Sequence, residues 1–430
     1  MSGAREVVFV AGKDPLEETA GGHSAFVRSH ARAARAAGWR PHLFCMSVGD
    51  GLVETDFGAV HRVRAPLPWL TRRGPPAAFR SATAPLYAPL LARAVTRFLA
   101  ERPGVALVHG FGFWAAGATG AAAALRRRGR PARALTSAYA TARHEYAGKW
   151  AGVSAEHGLP ARLRAGLERG WGWLAVEACD RRGLRDADLV LVNYASVERL
   201  VGALAPRAEV RRVPYCPESA FLRAGDEAGP PPPELARLAP AGAPLVVCVA
   251  RQDPRKGVDR LLHALAALRR NGVPLRACLV GGGDLLEAHR RLADRLGLAG
   301  CATLTGVVPD PWPYLEAADL FVLPSLEESS GSLALLEAFQ AGLPAVVSDV
   351  DGLPEDADGG ACARLVPPGR PEALAEAIGG LLECPQERRA LGARARQRFL
   401  SHHAPPLLVD ALSGLYEEQT RAADPGAAAA

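Results

Sequence analysis

Residues 320–340 read LFVLPSLEESSGSLALLEAFQ. The four apolar residues at the start predict a buried strand, and the Ser- and Gly-rich segment after them predicts a turn. From Leu333 onward, apolar residues recur at helical spacing, which predicts a helix. The start of a helix offers free backbone N–H groups and the positive end of the helix dipole, so this turn is suited to hold a diphosphate.

The candidate ligand contacts in this stretch are polar side chains and backbone groups: Glu328, Ser329, Ser330, Gly331, Ser332, Leu333 and Glu337. Glu337 lies about a turn and a half inside the predicted helix, within reach of a sugar hydroxyl close to the phosphates. The alternative interpretation of Glu337 is a solvated acid on an exposed helix face.

A second motif, residues 249–257 with the sequence VARQDPRKG, also follows a predicted strand and precedes a predicted helix. It places Arg251 and Lys256 at the carboxyl end of a strand, where open α/β sheets bind ligands. A guanidinium and an ammonium five residues apart suit a diphosphate whose charge has to be stabilised as it leaves.

Two Gly-rich elements have two interpretations each. Gly21 and Gly22 open the first predicted long helix, and Gly281 begins a run of three glycines after a predicted strand. Such glycines either bring backbone N–H groups close to a phosphate or simply allow tight turns between strand and helix.

Short apolar strands alternate with Ala- and Arg-rich helical stretches along the whole chain, which predicts α/β units with parallel sheets. The predicted strands are residues 6–11, 41–46, 105–109, 134–137, 189–193, 245–250, 276–280, 302–305, 320–323 and 345–348. The first predicted helix is 24–37, and the uncharged run 106–125 is interpreted as strand, turn and helix, not as a membrane span. Two doubly wound, Rossmann-like units result.

The Pro- and Gly-rich segment 223–243 predicts a linker between an N-terminal domain at 1–222 and a C-terminal domain at 244–400. A helix at 401–421 is expected to return to the N-terminal domain, and the low-complexity tail 422–430 is expected to fray.

Composition restricts the class of protein. The chain has 430 residues, of which 49% are hydrophobic and 22% charged, and it has 8 cysteines. These values exclude a disordered, collagen-like or polytopic membrane protein and predict a globular enzyme of two or three domains. The cysteines are scattered without C-x-x-C spacing, and no signal-type apolar segment opens the chain, so a cytoplasmic location is expected.

The net charge of +6 is unevenly distributed. Residues 1–215 carry 31 Lys and Arg against 17 Asp and Glu, a balance of +14, whereas residues 216–430 carry 20 against 28, a balance of −8. Either the chain is simply Arg-rich with solvated faces, or the first half meets an anionic acceptor, a phospholipid surface or a polyanion. Nucleic acid is not expected, because the basic run 126–130 has no interleaved aromatic residues.

The segment 162–185, with tryptophans among arginines, is either a packed helix or a contact for an anionic molecule or a membrane face.

With these motifs in place, the second half resembles the retaining family 4 glycosyltransferases. The matching segments are residues 250–257, 279–283, 318–325, 336–338, 341–344 and 348–355, with looser matches at 21–22, 187–193 and 213–214. The resemblance implies a B-type glycosyltransferase fold, in which two Rossmann-like domains face a cleft that holds a nucleotide-sugar donor. It implies that Arg251 and Lys256 contact the donor diphosphate. It further implies that Glu337 binds the ribose, that Gly22 sits beside the phosphates, and that the loop before Glu337 binds the transferred sugar.

The acidic pair of the family is displaced here. The family pattern is Glu, seven residues, then Glu, but counting back from Glu337 gives Ser329, with Glu328 one residue further away. Either Glu328 takes the role through a shifted loop, which we favour, or Ser329 hydrogen-bonds the sugar instead.

A family histidine is also displaced. After the strand at 134–137, where the family often has His, this chain has Ala138 and Tyr139. His109 and His144 are candidate substitutes near the sugar, and a structural role is the alternative for each.

The expected activity is retaining transfer of a sugar from a nucleotide-diphosphate sugar, with a UDP-sugar favoured, to a small-molecule or lipid-linked acceptor. Natural-product or cell-envelope biosynthesis is the expected setting, with peripheral contact to the inner membrane face as a further expectation. No cofactor or metal is expected, because the pair Arg251 and Lys256 can replace a divalent ion. The alternatives are a non-catalytic nucleotide-binding homologue that stabilises a partner enzyme and a phosphorylase of the same fold.

Overall fold

The computed structural model describes residues 5–17, 21–66, 83–102, 104–144, 166–167, 169–223 and 230–423. The chain divides into two compact units, unit 1 from Met1–Phe221 with Pro405–Ala430, and unit 2 from Leu222–Ala404. Each unit is built on its own largely parallel sheet with helices on its faces. The predicted α/β class with two doubly wound units is confirmed.

In the described part of unit 1, an eight-stranded sheet has the order β3-β4-β2-β1-β5-β6-β7-β8. Its strands are β1 (Arg5–Lys13), β2 (Trp39–Ser47), β3 (Gly51–Thr55), β4 (Gly58–Arg64), β5 (Ala106–Phe111), β6 (Ala132–Ala138), β7 (Leu189–Val192) and β8 (Val210–Arg212). Among these described strands, only β3 is antiparallel to its neighbour. The central strands are buried on both faces, as expected when helices cover a parallel sheet.

The helices of unit 1 are α1 (Gly21–Ala36), α2 (Ala84–Ala100), α3 (Ala115–Arg126), α4 (Glu177–Arg185), α5 (Ala195–Leu204) and, at the boundary with unit 2, α6 (Ser219–Leu222). A π-helical turn at Gly172–Val176 leads directly into α4. One apolar core joins the sheet to α2 and α3 through residues such as Val8, Leu91 and Ala121. The uncharged run 106–125 is strand, turn and helix, as predicted.

Unit 2 contains a six-stranded sheet, among the residues described, in the order β11-β10-β9-β12-β13-β14. All of its strand pairs are parallel. The strands are β9 (Leu245–Val249), β10 (Arg276–Val280), β11 (Ala302–Gly306), β12 (Leu320–Leu323), β13 (Ala345–Ser348) and β14 (Arg364–Val366). The helices are α7 (Val258–Arg270), α8 (Leu286–Arg295), α9 (Trp312–Glu316), α10 (Leu333–Gln340), α11 (Leu353–Asp356), α12 (Pro371–Glu383) and α13 (Pro385–His402).

The predicted linker differs from the structure where it is described. Residues 230–243 belong to unit 2, because Glu234 accepts a hydrogen bond from the Tyr314 hydroxyl and Leu235 is buried. The backbone N–H of Ala239 also donates to the Gly300 carbonyl at 2.8 Å. The segment therefore packs on the second sheet's unit instead of forming a free connector. Residues 224–229 of the predicted linker lie outside the described residues.

The chain returns to unit 1 for its last helix, α14 (Pro405–Ala423). Tyr416 of this helix is fully buried, and its hydroxyl lies 2.8 Å from His109 Nδ1 on β5. Gln419 accepts two hydrogen bonds from Arg133, at 2.8 and 3.0 Å. The predicted tail 422–430 lies outside the described residues from 424 onward, and α14 runs to Ala423. No described helix is both long enough and apolar enough to cross a bilayer.

Buried histidines give unit 1 a pH dependence. The His30 ring on α1 is fully buried against Phe26, and its Nδ1–H donates to the Phe26 carbonyl at 3.0 Å. Burial lowers the pKa of His30 to about 4. Burial also lowers the pKa of His109 well below its usual value. Both rings are therefore neutral in the folded chain at pH 5.

We expect unit 1 to lose stability as the pH falls from 6.5 towards 4, because the unfolded chain binds protons that buried His30 and His109 do not. Each such histidine contributes a slope of about 1.4 kcal/mol per pH unit in this range. Urea unfolding at pH 7 and pH 5 measures the effect. The variant His30→Phe should show a shallower pH dependence than the wild type, and an unchanged dependence would contradict this account.

Candidate functional site

The candidate site lies where the second sheet changes winding direction. From central β9, the chain builds β10 and β11 on one side and β12 to β14 on the other. Strands β9 and β12 are neighbours, so the loops after their carboxyl ends meet at one edge of the sheet. Such a switch point is where doubly wound sheets bind ligands.

An ion pair joins these two loops. Lys256, in the loop after β9, donates from Nζ to both carboxylate oxygens of Glu328, in the loop after β12, each at 2.7 Å. The Glu328 side chain is 4% exposed and that of Lys256 is 15% exposed. The Ser325 hydroxyl donates a further hydrogen bond to Glu328. Because a buried carboxylate is costly without partners, these two donors hold the Glu328 side chain in place.

Backbone contacts also bring the two loops together. The Leu326 N–H donates to the Arg255 carbonyl at 2.7 Å. Gly257 has a φ of +59°, and a Cβ added there would lie 2.2 Å from the Pro324 carbonyl oxygen. Only glycine allows this approach without a shift of the backbone. Lys256 is thereby placed next to the Glu328 loop.

Asp351 supports the Glu328 loop from the next strand connection. One of its carboxylate oxygens, Oδ2, accepts hydrogen bonds from the backbone N–H of Glu328 at 2.7 Å and of Ser329 at 2.9 Å. Both Ser329 (φ +71°) and Asp351 (φ +51°) have left-handed backbone conformations, which are uncommon for residues other than glycine. Asp351 thus fixes a strained turn that carries two of the predicted site residues.

The start of α10 follows directly on this turn. Ser330, Gly331 and Ser332 are buried, and α10 begins at Leu333. Ser332 has an extended backbone, and its side chain does not cap the helix. Glu337 lies half-buried on the second turn of α10. The predicted strand, turn and helix are confirmed in this stretch, and the first-turn N–H groups of α10 are placed at the same edge as Lys256.

Arg251 stands at the end of β9 with 53% of its side chain exposed, and it pairs with Asp253 at 3.0 Å. Asp253 also accepts a hydrogen bond from the Arg255 N–H at 3.1 Å, which caps the short turn Pro254–Lys256. The exposed guanidinium of Arg251 and the largely buried ammonium of Lys256 therefore lie on one loop.

Gly281 is explained by packing. Its φ is +130°, and a Cβ there would lie 2.1 Å from the Ala250 carbonyl oxygen. Its N–H donates to the Gly306 carbonyl at 2.9 Å. The Gly281 amide is thus already used, so this glycine allows the close approach of two loops and does not offer an N–H to a phosphate.

The remaining predicted site residues lie in unit 1. Gly21 and Gly22 open α1, and residues 18–20 before them lie outside the described residues. His109 is wholly buried in β5, with Nδ1 2.8 Å from the Tyr416 hydroxyl and Nε2 2.8 Å from the Ser137 hydroxyl. Both ring nitrogens already have partners, so the structure gives His109 a structural role in holding α14, and not the predicted contact with a sugar. His144 is half-buried in a helical turn after β6.

No group of three or more His, Cys, Asp and Glu in the described ranges is arranged to hold a metal ion. All eight cysteines are free. Burial raises the pKa of the Cys248 thiol, beneath Lys256 and Glu328, to about 12, so it is neutral at physiological pH. The described residues at this edge therefore offer cations, carboxylates and backbone N–H groups, which suits the binding of a diphosphate and its substituents.

Comparison with known proteins agrees with this geometry. Residues 236–398 match the family described as "Glycosyl transferases group 1", and residues 21–216 match the "Glycosyl transferase 4-like domain". A GDP-mannose-dependent alpha-(1-6)-phosphatidylinositol monomannoside mannosyltransferase of Mycolicibacterium smegmatis is 31% identical over 60% of this chain and 73% of its own length.

Solved structures show the same fold. Sucrose-phosphate synthase from Thermosynechococcus elongatus superposes with a TM-score of 0.73 at 22% identity, covering 97% of this chain and all of the other. The structure of Anabaena HepE in complex with UDP and glucose superposes with a TM-score of 0.66 at 18% identity, covering 96% of this chain and 99% of the other. The chain belongs to the family 4 glycosyltransferases and is a glycosyltransferase with the two-domain B-type fold.

Asp351 was not singled out as a functional residue from the sequence, and its role can be tested with two matched variants. Asp351→Asn keeps an oxygen that can accept from both N–H groups, whereas Asp351→Gly removes the acceptor and tolerates the positive φ. We expect Asp351→Gly to bind a nucleoside diphosphate roughly tenfold more weakly, because two N–H groups lose their partner. Asp351→Asn should stay within about threefold of the wild type. Titration calorimetry with GDP and UDP measures this, and equal affinities for the two variants would contradict the role.

Proposed function

We propose that this glycosyltransferase moves a sugar, with retention of anomeric configuration and without a metal ion, from a nucleoside-diphosphate sugar to an acceptor hydroxyl. The observation that carries this proposal is the Lys256–Glu328 pair at the switch point of the second sheet. This pair places the Lys256 ammonium at the sheet edge where a diphosphate would bind. The exposed Arg251 guanidinium lies on the same loop.

The proposed chemistry needs stabilisation of the leaving group. The acceptor oxygen forms a bond to the anomeric carbon while the bond from that carbon to the diphosphate oxygen breaks on the same face. The proton of the acceptor hydroxyl passes to the departing diphosphate. Lys256, Arg251 and the first N–H groups of α10 would stabilise the negative charge that develops there.

We propose that Glu328 fills the first acidic position of the family pattern. Its role is to position another residue, Lys256. Glu328 holds the Lys256 ammonium through both carboxylate oxygens. The Ser329 hydroxyl makes no hydrogen bond to another described residue and is the proposed contact for a hydroxyl of the transferred sugar. Glu337, on the second turn of α10, is the proposed contact for the ribose.

The donor is proposed to be GDP-mannose first and a UDP-sugar second. The mycobacterial relative named for GDP-mannose is similar in sequence over most of its own length. The HepE structure, which contains UDP and glucose, is similar in fold alone. This order reverses the preference for a UDP-sugar that the sequence suggested.

The acceptor is proposed to be lipid-linked, since the same relative is named for a phosphatidylinositol mannoside acceptor. The positive balance of residues 1–215 suits an acceptor with an anionic head group. A cytoplasmic location with access to the inner membrane face belongs to this proposal.

Release of nucleoside diphosphate from GDP-mannose, UDP-glucose and related donors tests the central step, with and without phosphatidylinositol as acceptor. We expect Lys256→Ala to reduce kcat by about a hundredfold or more, because a charge on the leaving group loses its stabiliser. The matched control is Arg260→Ala, which removes an exposed cation from α7 and should leave kcat unchanged.

Lys256→Ala leaves Glu328 buried without its partner, so folding has to be tested separately. The double variant Lys256→Met with Glu328→Gln removes both charges, and we expect it to melt close to the wild type but to remain inactive. A wild type that binds nucleotide without turnover would contradict the proposal and support a non-catalytic homologue. Sugar release that depends on inorganic phosphate would support a phosphorylase instead.

Metal independence is a separate prediction. We expect donor turnover to continue unchanged in excess chelator, because Lys256 and Arg251 would supply the positive charge that a divalent ion supplies elsewhere. Turnover assays with EDTA, followed by addition of Mg²⁺ or Mn²⁺, measure this. Activity that is lost with chelator and restored by either ion would overturn the prediction.

A further inference from the structure

A groove of about 730 Å³ crosses the helical surface of unit 1, well apart in the chain from the residues of the proposed transfer site. It runs between α2, α3 and the π-helical turn that leads into α4. Its floor consists mainly of small residues: Ala88, Ala92, Ala116, Gly120, Ala124 and Ala175. A cavity of this size is within the range of small-molecule sites.

The groove is polarised along its length. The helices α2, α3 and α4 each connect parallel strands and so run antiparallel to them, which places their C-terminal ends together at the amino edge of the sheet. Arg130, just after α3, donates to the Ala100 carbonyl at the end of α2 at 2.8 Å, which confirms this alignment. The groove arginines lie in the C-terminal halves of these helices or just beyond: Arg93, Arg97, Arg127, Arg128 and Arg182. The other end is lined by Pro85, Pro89 and Ala175.

Few carboxylates lie at the basic end of the groove. Among the described lining residues, Glu101 is the one acidic residue. Four of the groove arginines form no ion pair with any described residue: Arg93, Arg97, Arg127 and Arg128. Arg182 pairs with Asp186 at 3.4 Å, with both side chains largely exposed. An anionic group is therefore the complement of this end.

The groove is long. The lining residues of α2 run from Pro85 to Glu101, a rise of about 24 Å. That length suits an extended ligand chain. An extended peptide is disfavoured because helix walls use their backbone groups internally and leave its N–H and C=O groups without partners.

The π-helical turn supports a binding role at the apolar end. A π-turn inserts one extra residue in a helix and occurs frequently at functional sites. Here the π-helical turn contributes Ala175 to the groove. The same turn carries the exposed side chains of Trp173 and Leu174.

We propose that this groove binds a free long-chain alkyl phosphate, with the alkyl chain along the Ala-rich floor and the phosphate among the arginines. The basic end lies at the amino edge of the first sheet, opposite to the carboxyl edge where α/β sheets bind their substrates. The ligand of this groove is therefore distinct from both donor and acceptor of the proposed transfer, and its binding can be measured without turnover.

Titration calorimetry of the full chain with dodecyl phosphate, below its critical micelle concentration, tests this inference. We expect saturable binding of one molecule, with much weaker binding of inorganic phosphate or of dodecyl maltoside. The double variant Arg97→Ala with Arg127→Ala should bind dodecyl phosphate about tenfold more weakly or worse. The matched control, Arg199→Ala with Arg207→Ala, removes two exposed arginines of the same unit outside the groove and should bind like the wild type.

A filling variant tests the apolar half. Ala92→Leu adds bulk to the floor and should weaken dodecyl phosphate at least fivefold, and thermal melting shows whether it is folded. The inference is overturned if the wild type shows no saturable binding, or if the groove and control arginine pairs weaken binding equally. It is also overturned if inorganic phosphate binds as tightly as dodecyl phosphate. Binding to anionic phospholipid vesicles without binding of monomeric dodecyl phosphate would identify a membrane-facing surface instead.

Discussion

The Glu328 carboxylate is almost completely withdrawn from solvent, and its charge is balanced by the Lys256 ammonium at 2.7 Å. Breaking such a buried pair from one side costs about 3–5 kcal/mol, because the remaining charge has no replacement partner. The loops after β9 and β12 must therefore stay together. Gly257 allows the loop after β9 to approach, and Asp351 holds the backbone of the loop after β12. The edge of the second sheet is ordered around this pair.

This arrangement also explains how a site for a diphosphate can exist before the ligand binds. An ammonium held by a carboxylate is fixed in position, so little side-chain entropy remains to be lost when a phosphate oxygen arrives. In the proposed function, Glu328 contributes to diphosphate binding through Lys256, because its own carboxylate is buried. The same proposal divides between Glu328 and Ser329 the role that one residue has in the family pattern.

Much of the fold could be predicted because the central strands are continuous apolar runs. Helices cover both faces of a parallel sheet, so every side chain of a central strand is buried. The strands at 276–280, 320–323 and 345–348 have the predicted bounds. The hairpin of β3 and β4 was missed, since β3 is mostly exposed and has no such run. The edge strands β8 and β14 are three residues each, too short for a periodic signal.

The candidate site was less predictable, because its residues act through contacts between distant loops. Lys256 and Glu328 were both expected to act at the site, but 72 residues separate them, and the ion pair between them is visible only in the structure. Asp351 accepts hydrogen bonds from two backbone N–H groups, and no pattern of residue types in the sequence predicts such contacts. His109 was expected near the sugar because it ends a strand, but its partner Tyr416 lies 307 residues away and makes it part of the core.

A crystal structure of the chain with the nucleoside diphosphate that binds most tightly would show whether Lys256 contacts the diphosphate. We expect a diphosphate oxygen within hydrogen-bond distance of Lys256 Nζ at the carboxyl edge of the second sheet, with the Glu328 loop still held by Asp351. A diphosphate bound elsewhere, with the Lys256–Glu328 pair unchanged and out of contact with it, would show that this pair does not form the diphosphate site.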